Sequence, residues 1–208
     1  MHLLAVSKTC PGVSVRAAVA AGQRDFGENY VQEALAKIAE LGDLRADLRW
    51  HLIGPLQSNK AREVAAHFDW VHSIDRMKLA QRLSDLRPAD LPPLQVCLQV
   101  NISGEASKSG VAPEEALALA HAVATLPRLK LRGLMAIPEP ADDLAAQRAP
   151  YRTLRRLFEA MNAEGLALDT LSIGMSADLE AAIAEGATWV RIGTAIFGSR
   201  PAKPVPAS

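Results

Sequence analysis

The sequence predicts a closed (β/α)8 barrel, eight parallel strands alternating with helices, and three observations carry that prediction. Short apolar runs alternate with longer Ala/Leu-rich stretches to the end of the chain. Runs such as Gln95-Val-Cys-Leu-Gln-Val100 are near-continuous in apolar residues, as in strands buried on both faces, and each is followed by a helical stretch, the parallel crossover arrangement. An internal echo pairs Ala17-Ala-Val-Ala-Ala-Gly22 with Ala181-Ala-Ile-Ala-Glu-Gly186, each a helix closed by a glycine and feeding a strand two residues later. A doubly wound open sheet is the rival, but no GxGxxG turn follows the first run, and eight regular units fit closure better.

In chain order, strands are expected at 3–7, 24–27, 49–54, 70–73, 94–102, 131–137, 170–174 and 188–193. Helices are expected between them at 13–21, 29–41, 58–67, 76–86, 113–125, 143–164 and 177–185, with punctuation at Gly22, Gly42, Pro113, Gly165 and Gly186. The loop-like stretches 87–93 and 138–150 are too short and too unbiased to be domain linkers, so residues 1–208 read as one domain.

Composition narrows the function. The 208 residues are 49% hydrophobic and 22% charged, and 23 Lys+Arg balance 23 Asp+Glu. A chain without a cationic excess has no electrostatic footprint for nucleic acid or anionic membranes. Cys10 and Cys97 stand far apart without metal-like or CxxC spacing, so both are expected as reduced thiols. The opening Met-His-Leu-Leu-Ala-Val-Ser-Lys is too short for a signal h-region and no run approaches a membrane span, so a cytoplasmic protein is expected.

In a parallel barrel the site gathers where the strands end. Lys8 directly follows the first strand. In the barrel mouth its amine would be desolvated toward the neutral nucleophile that condenses with a carbonyl; on the rim it would be an ordinary solvated lysine. Gly27-Glu-Asn-Tyr30 and His51-Leu-Ile-Gly-Pro-Leu-Gln-Ser-Asn59 put polar residues beside glycines at two neighbouring strand ends, a pattern of ligand cavities and also of turns. His51 either faces that cavity or belongs to the core. Ser172-Ile-Gly-Met-Ser176 runs into a helix at 177, so Ser176 either meets an anion or caps the helix. Arg191, between Val190 and Ile192, must meet an acceptor in a protein carboxylate or a ligand. Gly193 and Thr194 follow at the end of the eighth strand, and the loops after strands seven and eight are the recurrent phosphate site of such barrels. A carbonyl-reactive lysine and a phosphate cradle together point to a phosphorylated aldehyde, and pyridoxal 5′-phosphate has both features.

Eight motifs, in order along almost the whole chain, resemble the pyridoxal phosphate homeostasis protein family. They are Leu4-Ala-Val-Ser-Lys-Thr9, Phe26-Gly-Glu-Asn-Tyr30, His51-Leu-Ile-Gly-Pro-Leu-Gln-Ser-Asn-Lys60, Val100-Asn-Ile-Ser, Ser107-Lys-Ser-Gly110, Arg132-Gly-Leu-Met-Ala-Ile-Pro138, Ser172-Ile-Gly-Met-Ser176 and Arg191-Ile-Gly-Thr-Ala-Ile-Phe-Gly198. The resemblance implies a fold type III barrel like the N-terminal domain of alanine racemase, with Lys8 holding pyridoxal 5′-phosphate as a Schiff base. It further implies Ser176, Gly193 and Thr194 at the phosphate, Arg191 opposite the pyridine nitrogen, and Asn29, His51 and Ser172 lining the pocket. The implied role is a carrier or regulator of the cofactor and of amino-acid and keto-acid balance, without an established reaction. Pyridoxal-phosphate-dependent apoenzymes would be the recipients, and the chain would be a monomer or weak homodimer.

Two other functions compete. Racemases of this fold resemble the barrel but add a second domain with a catalytic tyrosine, and the tyrosines here are Tyr30 and Tyr151. A Schiff-base aldolase would use the lysine without a cofactor, and its purified form would lack the yellow colour of a pyridoxal phosphate protein. Family members also usually carry an amphipathic helix before the first strand, which here begins at Leu3. Outward-facing apolar residues at the seam of the first and last strands are therefore expected to lie uncovered, so that the chain either pairs there or lacks a native N-terminal stretch.

Overall fold

The computed structural model describes residues 1–104 and 109–198. Eight strands form a closed barrel in sequence order, β1 (His2–Val6), β2 (Asp25–Glu28), β3 (Arg49–Leu52), β4 (Trp70–Ile74), β5 (Leu94–Gln99), β6 (Leu129–Met135), β7 (Thr170–Ser172) and β8 (Trp189–Ile192). Every neighbouring pair is parallel, and β8 closes on β1 through Leu3 opposite Val190 and Leu4 opposite Arg191. The helices are α1 (Gly12–Ala20), α2 (Val31–Glu40), α3 (Ala61–His67), α4 (Met77–Leu86), α5 (Pro113–Ala124), α6 (Leu144–Ala163), α7 (Leu179–Ala184) and α8 (Thr194–Phe197), with 3-10 turns at Gly42–Leu44 and Ser58–Lys60. The two echoed helix ends behave alike: Gly22 and Gly186 take φ of 99° and 86°, the left-handed conformation that costs glycine least.

The elements follow the sequence pattern, and the departures have local causes. The fifth strand stops at Gln99 rather than 102: Val100 still donates to the Met135 carbonyl of β6 at 2.9 Å, and there the chain turns to pair with Val111 through an isolated bridge. Pro150 lies inside α6 instead of ending a loop; Asp143 caps that helix by accepting the Ala146 amide at 2.8 Å. α7 begins at Leu179, not 177, with Asp178 at its N-cap position.

The expected bare seam is met at Leu3 on β1 and corrected on β8. Outward-facing Val190 and Ile192 are buried, and Phe197 of α8 packs against the same core, although Leu3 is 42% exposed. α8, four residues long, is too short for its periodicity to show in sequence.

The large apolar core lies between strands and helices. A second, partly polar one fills the barrel, because alternate residues of each strand point inward. There Trp189 meets His51 and Trp70 with ring centroids 5.0 and 5.8 Å apart, and Trp70, Cys97 and Met135 form a small cluster. Ion pairs close the N-terminal face: Arg49 grips Asp25 at 2.6 and 2.7 Å, and Arg132 grips Asp169 while lying 4.9 Å over the Trp70 ring. Among the described residues no helix is long and apolar enough to cross a membrane.

Candidate functional site

At the C-terminal ends of the strands lies a cavity of about 300 Å3 whose wall includes Lys8, Asn29, Arg191, Gly193 and Thr194, with Ser176 on its edge loop. That volume is at the small end of sites for cofactor-sized molecules. A second cavity of about 190 Å3, toward Gln99 and Asn101, shares the Asn29, Ile53 and Ile137 wall. The carboxamide oxygen of Asn29 is buried and has no hydrogen-bond partner among the described residues, so an acceptor faces a space that a ligand donor could fill.

Lys8 stands on a turn two residues past β1, pinned from below. The Ser7 hydroxyl donates to Glu28 Oε1 at 2.6 Å, and Lys37 Nζ donates to the same oxygen at 2.6 Å and to the Ser7 carbonyl at 2.7 Å. Glu33, one turn before Lys37 on α2, also reaches Lys37 at 3.2 Å and accepts the Thr9 amide. Burial pushes the Glu28 carboxyl above its ordinary value, against the opposing pull of Lys37 and Ser7. Thr9 itself has φ of 63°, a backbone that a β-branched residue rarely takes.

Across the mouth, Arg191 is buried, and its guanidinium donates to the Ser172 carbonyl, to Ser172 Oγ at 3.1 Å and to the Ala136 carbonyl at 3.0 Å. Its contacts are neutral oxygens. Burial lowers its pKa, yet a group this basic stays charged, so a cation stands at the cavity wall without a touching carboxylate among the described residues. The nearby Asp178 accepts the Met175 amide and the Tyr151 hydroxyl, each at 2.6 Å. Burial and Asp178 raise the Tyr151 phenol, which stays protonated and committed to that carboxylate.

The structure thus brings Lys8, Asn29, Ser176, Arg191, Gly193 and Thr194 to one cavity. Ser176 is exposed on the turn before α7, and Asp178 takes the capping position that sequence allowed it. Ser172 and His51 are fully buried and lie below the cavity instead of in its wall, Ser172 beneath Arg191 and His51 between Asp25 and His72. Inward alternation along β3 explains this: Ile53, two residues beyond His51, reaches the mouth and leaves the histidine one layer down. Lys108 of the Ser107-Lys-Ser-Gly110 motif lies outside the described residues. Sequence reasoning missed Glu33 and Lys37, and met Glu28 only as part of the Gly27–Tyr30 run, without this role. The four-residue spacing of Glu33 and Lys37 on one helix face was the available signal.

The fold and the lysine-bearing mouth define a class, for the model of the alanine racemase N-terminal domain matches residues 1–201. A pyridoxal phosphate homeostasis protein of Pseudomonas aeruginosa is 69% identical over 198 residues, 95% of this chain and 84% of that relative. One from Escherichia coli is 57% identical over 95% of this chain and 85% of its own length. The solved structure of PipY from Synechococcus elongatus with pyridoxal phosphate bound superposes with a TM-score of 0.87 at 43% identity, covering 95% of this chain and 92% of that one. The chain belongs to the pyridoxal phosphate homeostasis protein family.

Proposed function

We propose that the barrel mouth binds pyridoxal 5′-phosphate through Lys8 and that the protein acts as a carrier or regulator of the cofactor. The observation that carries this reading is the single cavity shared by an amine from the end of β1, a buried guanidinium from β8 and the loops after β7 and β8, where phosphate sits in barrels of this kind. The residues fit the group. Lys8 would hold the aldehyde carbon, Ser176, Gly193 and Thr194 the phosphate, and Arg191 the ring nitrogen, while the unpartnered Asn29 oxygen accepts from a ligand hydroxyl.

When bound, the cofactor supplies an electron sink that depends on a protonated ring nitrogen. A fixed cation opposite that nitrogen disfavours its protonation, which supports holding over carbanion chemistry. Tyr151, whose hydroxyl is tied to Asp178, makes a poor acid for racemisation. Imine linkage is reversible, so the bond that holds the cofactor also permits its release to an apoenzyme. We further place the protein in the cytoplasm as a monomer or weak homodimer.

Titration with the cofactor and with pyridoxal, which lacks the phosphate, tests the site. Ser176→Ala and Thr194→Val should each weaken binding of the phosphorylated form by about 1–3 kcal/mol, the scale of a hydrogen bond to a charged group. Pyridoxal should be nearly indifferent. Equal losses for both ligands would show that these side chains do not touch the phosphate, and amino-acid racemisation by the loaded protein would replace the carrier reading with the enzymatic one.

A further inference from the structure

Polar groups line up inside the barrel beneath Arg191, below the cavity. Asp25, His51, His72 and Ser172 come from β2, β3, β4 and β7, are all buried, and touch one another in series. His51 Nε2 lies 3.1 Å from Asp25 Oδ1, and His51 Nδ1 lies 3.0 Å from His72 Nε2. His72 Nδ1 lies 2.8 Å from Ser172 Oγ, which lies 3.1 Å from Arg191 Nη1.

The donor inventory fixes the direction of the whole series. Asp25 is held ionised by Arg49, so it only accepts, and His51 must carry its proton on Nε2. The bare Nδ1 of His51 then accepts, which puts the His72 proton on Nε2 as well. The bare Nδ1 of His72 takes the Ser172 hydroxyl proton, and the hydroxyl oxygen is left to accept from Arg191. A guanidinium can only donate. An obligate acceptor at one end and an obligate donor at the other therefore demand the same arrangement, with both imidazoles neutral and every ring nitrogen used once.

We propose that Asp25, His51, His72 and Ser172 form a one-directional hydrogen-bonded chain through the barrel that positions Arg191 against the ligand ring. They are positioning residues, and the proposal rests on the reading that Arg191 faces the cofactor. The charges around the two imidazoles are Asp25, Asp69, Arg49 and Arg191, and burial holds both rings below the ordinary histidine value. The chain consequently keeps one hydrogen-bond pattern across neutral pH and hands Arg191 the same acceptor throughout.

Nitrogen-15 NMR of the histidines in the ligand-free protein tests the chain without any cofactor. Both His51 and His72 should be neutral with the proton on Nε2 from about pH 5.5 to 8, where an ordinary histidine titrates. An Nδ1–H tautomer at either residue, or titration of either within that range, overturns the proposal. His51→Leu then cuts the chain, whereas His51→Gln preserves it, since the amide accepts from His72 through Oε1 and donates to Asp25 through Nε2. Pyridoxal 5′-phosphate affinity should fall roughly tenfold in the first variant and return to within about twofold in the second, the scale of one hydrogen bond to a charged group. Ser172→Ala makes the same cut at the other end if His51→Leu does not fold. Equal effects of the leucine and glutamine variants reduce these residues to space-filling and overturn the proposal. Failure of the unaltered protein to bind the cofactor overturns the reading of the site instead, and the tautomers then decide the chain alone.

Discussion

Thr9 carries a conformation that costs a non-glycine residue on the order of 1–3 kcal/mol, and it does so next to Lys8. What holds it is the cluster of Glu28, Glu33 and Lys37 beneath the turn. Lys8 was legible in the sequence because its place at the end of the first apolar run is itself a signal. Its supports were not, since the Glu28–Lys37 pair joins Ser7 only once β1 and β2 are side by side. The buried histidines have a consequence for stability. His51 and His72 have folded-state pKa values below the unfolded value, so the unfolded chain binds more protons and stability falls as pH drops below about 6.5. Each should contribute a slope approaching about 1.4 kcal/mol per pH unit. Asp25, pulled down to about 2 by Arg49 and His51 against the opposing effect of burial, extends the loss in the same direction below about pH 4. Urea unfolding at pH 7.5 and pH 5.5 measures the slope. His51→Gln should remove one histidine's share, and an equally steep curve for that variant would mean that His51 titrates as it does in the unfolded chain.

Among the elements, the strands and first seven helices were legible because two periodicities alternate cleanly and glycines mark the joins. The exact ends were less so, and α8 was invisible at four residues. Register is a further property that no local pattern reveals. Between β5 and β6 it shifts after Val96, and just beyond the shift Gly133 lies opposite Thr170 of β7. A Cβ on Gly133 would come within 1.8 Å of the Thr170 carbonyl oxygen, a backbone atom that cannot move without parting β6 from β7. Gly133→Ala should therefore destabilise the barrel by about 3 kcal/mol, the upper part of the usual overpacking range. Urea denaturation checks it; a variant as stable as the parent would show that the strands separate there at little cost.

At the scale of the whole molecule, barrel closure converts residues spread from 8 to 194 into one cavity, and it also sorts them by depth. The mouth residues could be anticipated from their place at strand ends. His51 and Ser172 could not be told from them, because one step of inward alternation separates the wall of the cavity from the layer below. The same closure sets Lys8 on that wall, where we propose that its amine holds the cofactor. Borohydride reduction of the protein loaded with pyridoxal 5′-phosphate, followed by peptide mass mapping, should place the pyridoxyl adduct on Lys8. Lys8→Ala should lose both adduct and colour yet stay folded, since a polar side chain at a strand end contributes little packing. An adduct on Lys60 or Lys108 in the parent, with Lys8 unmodified, would show that another lysine holds the cofactor.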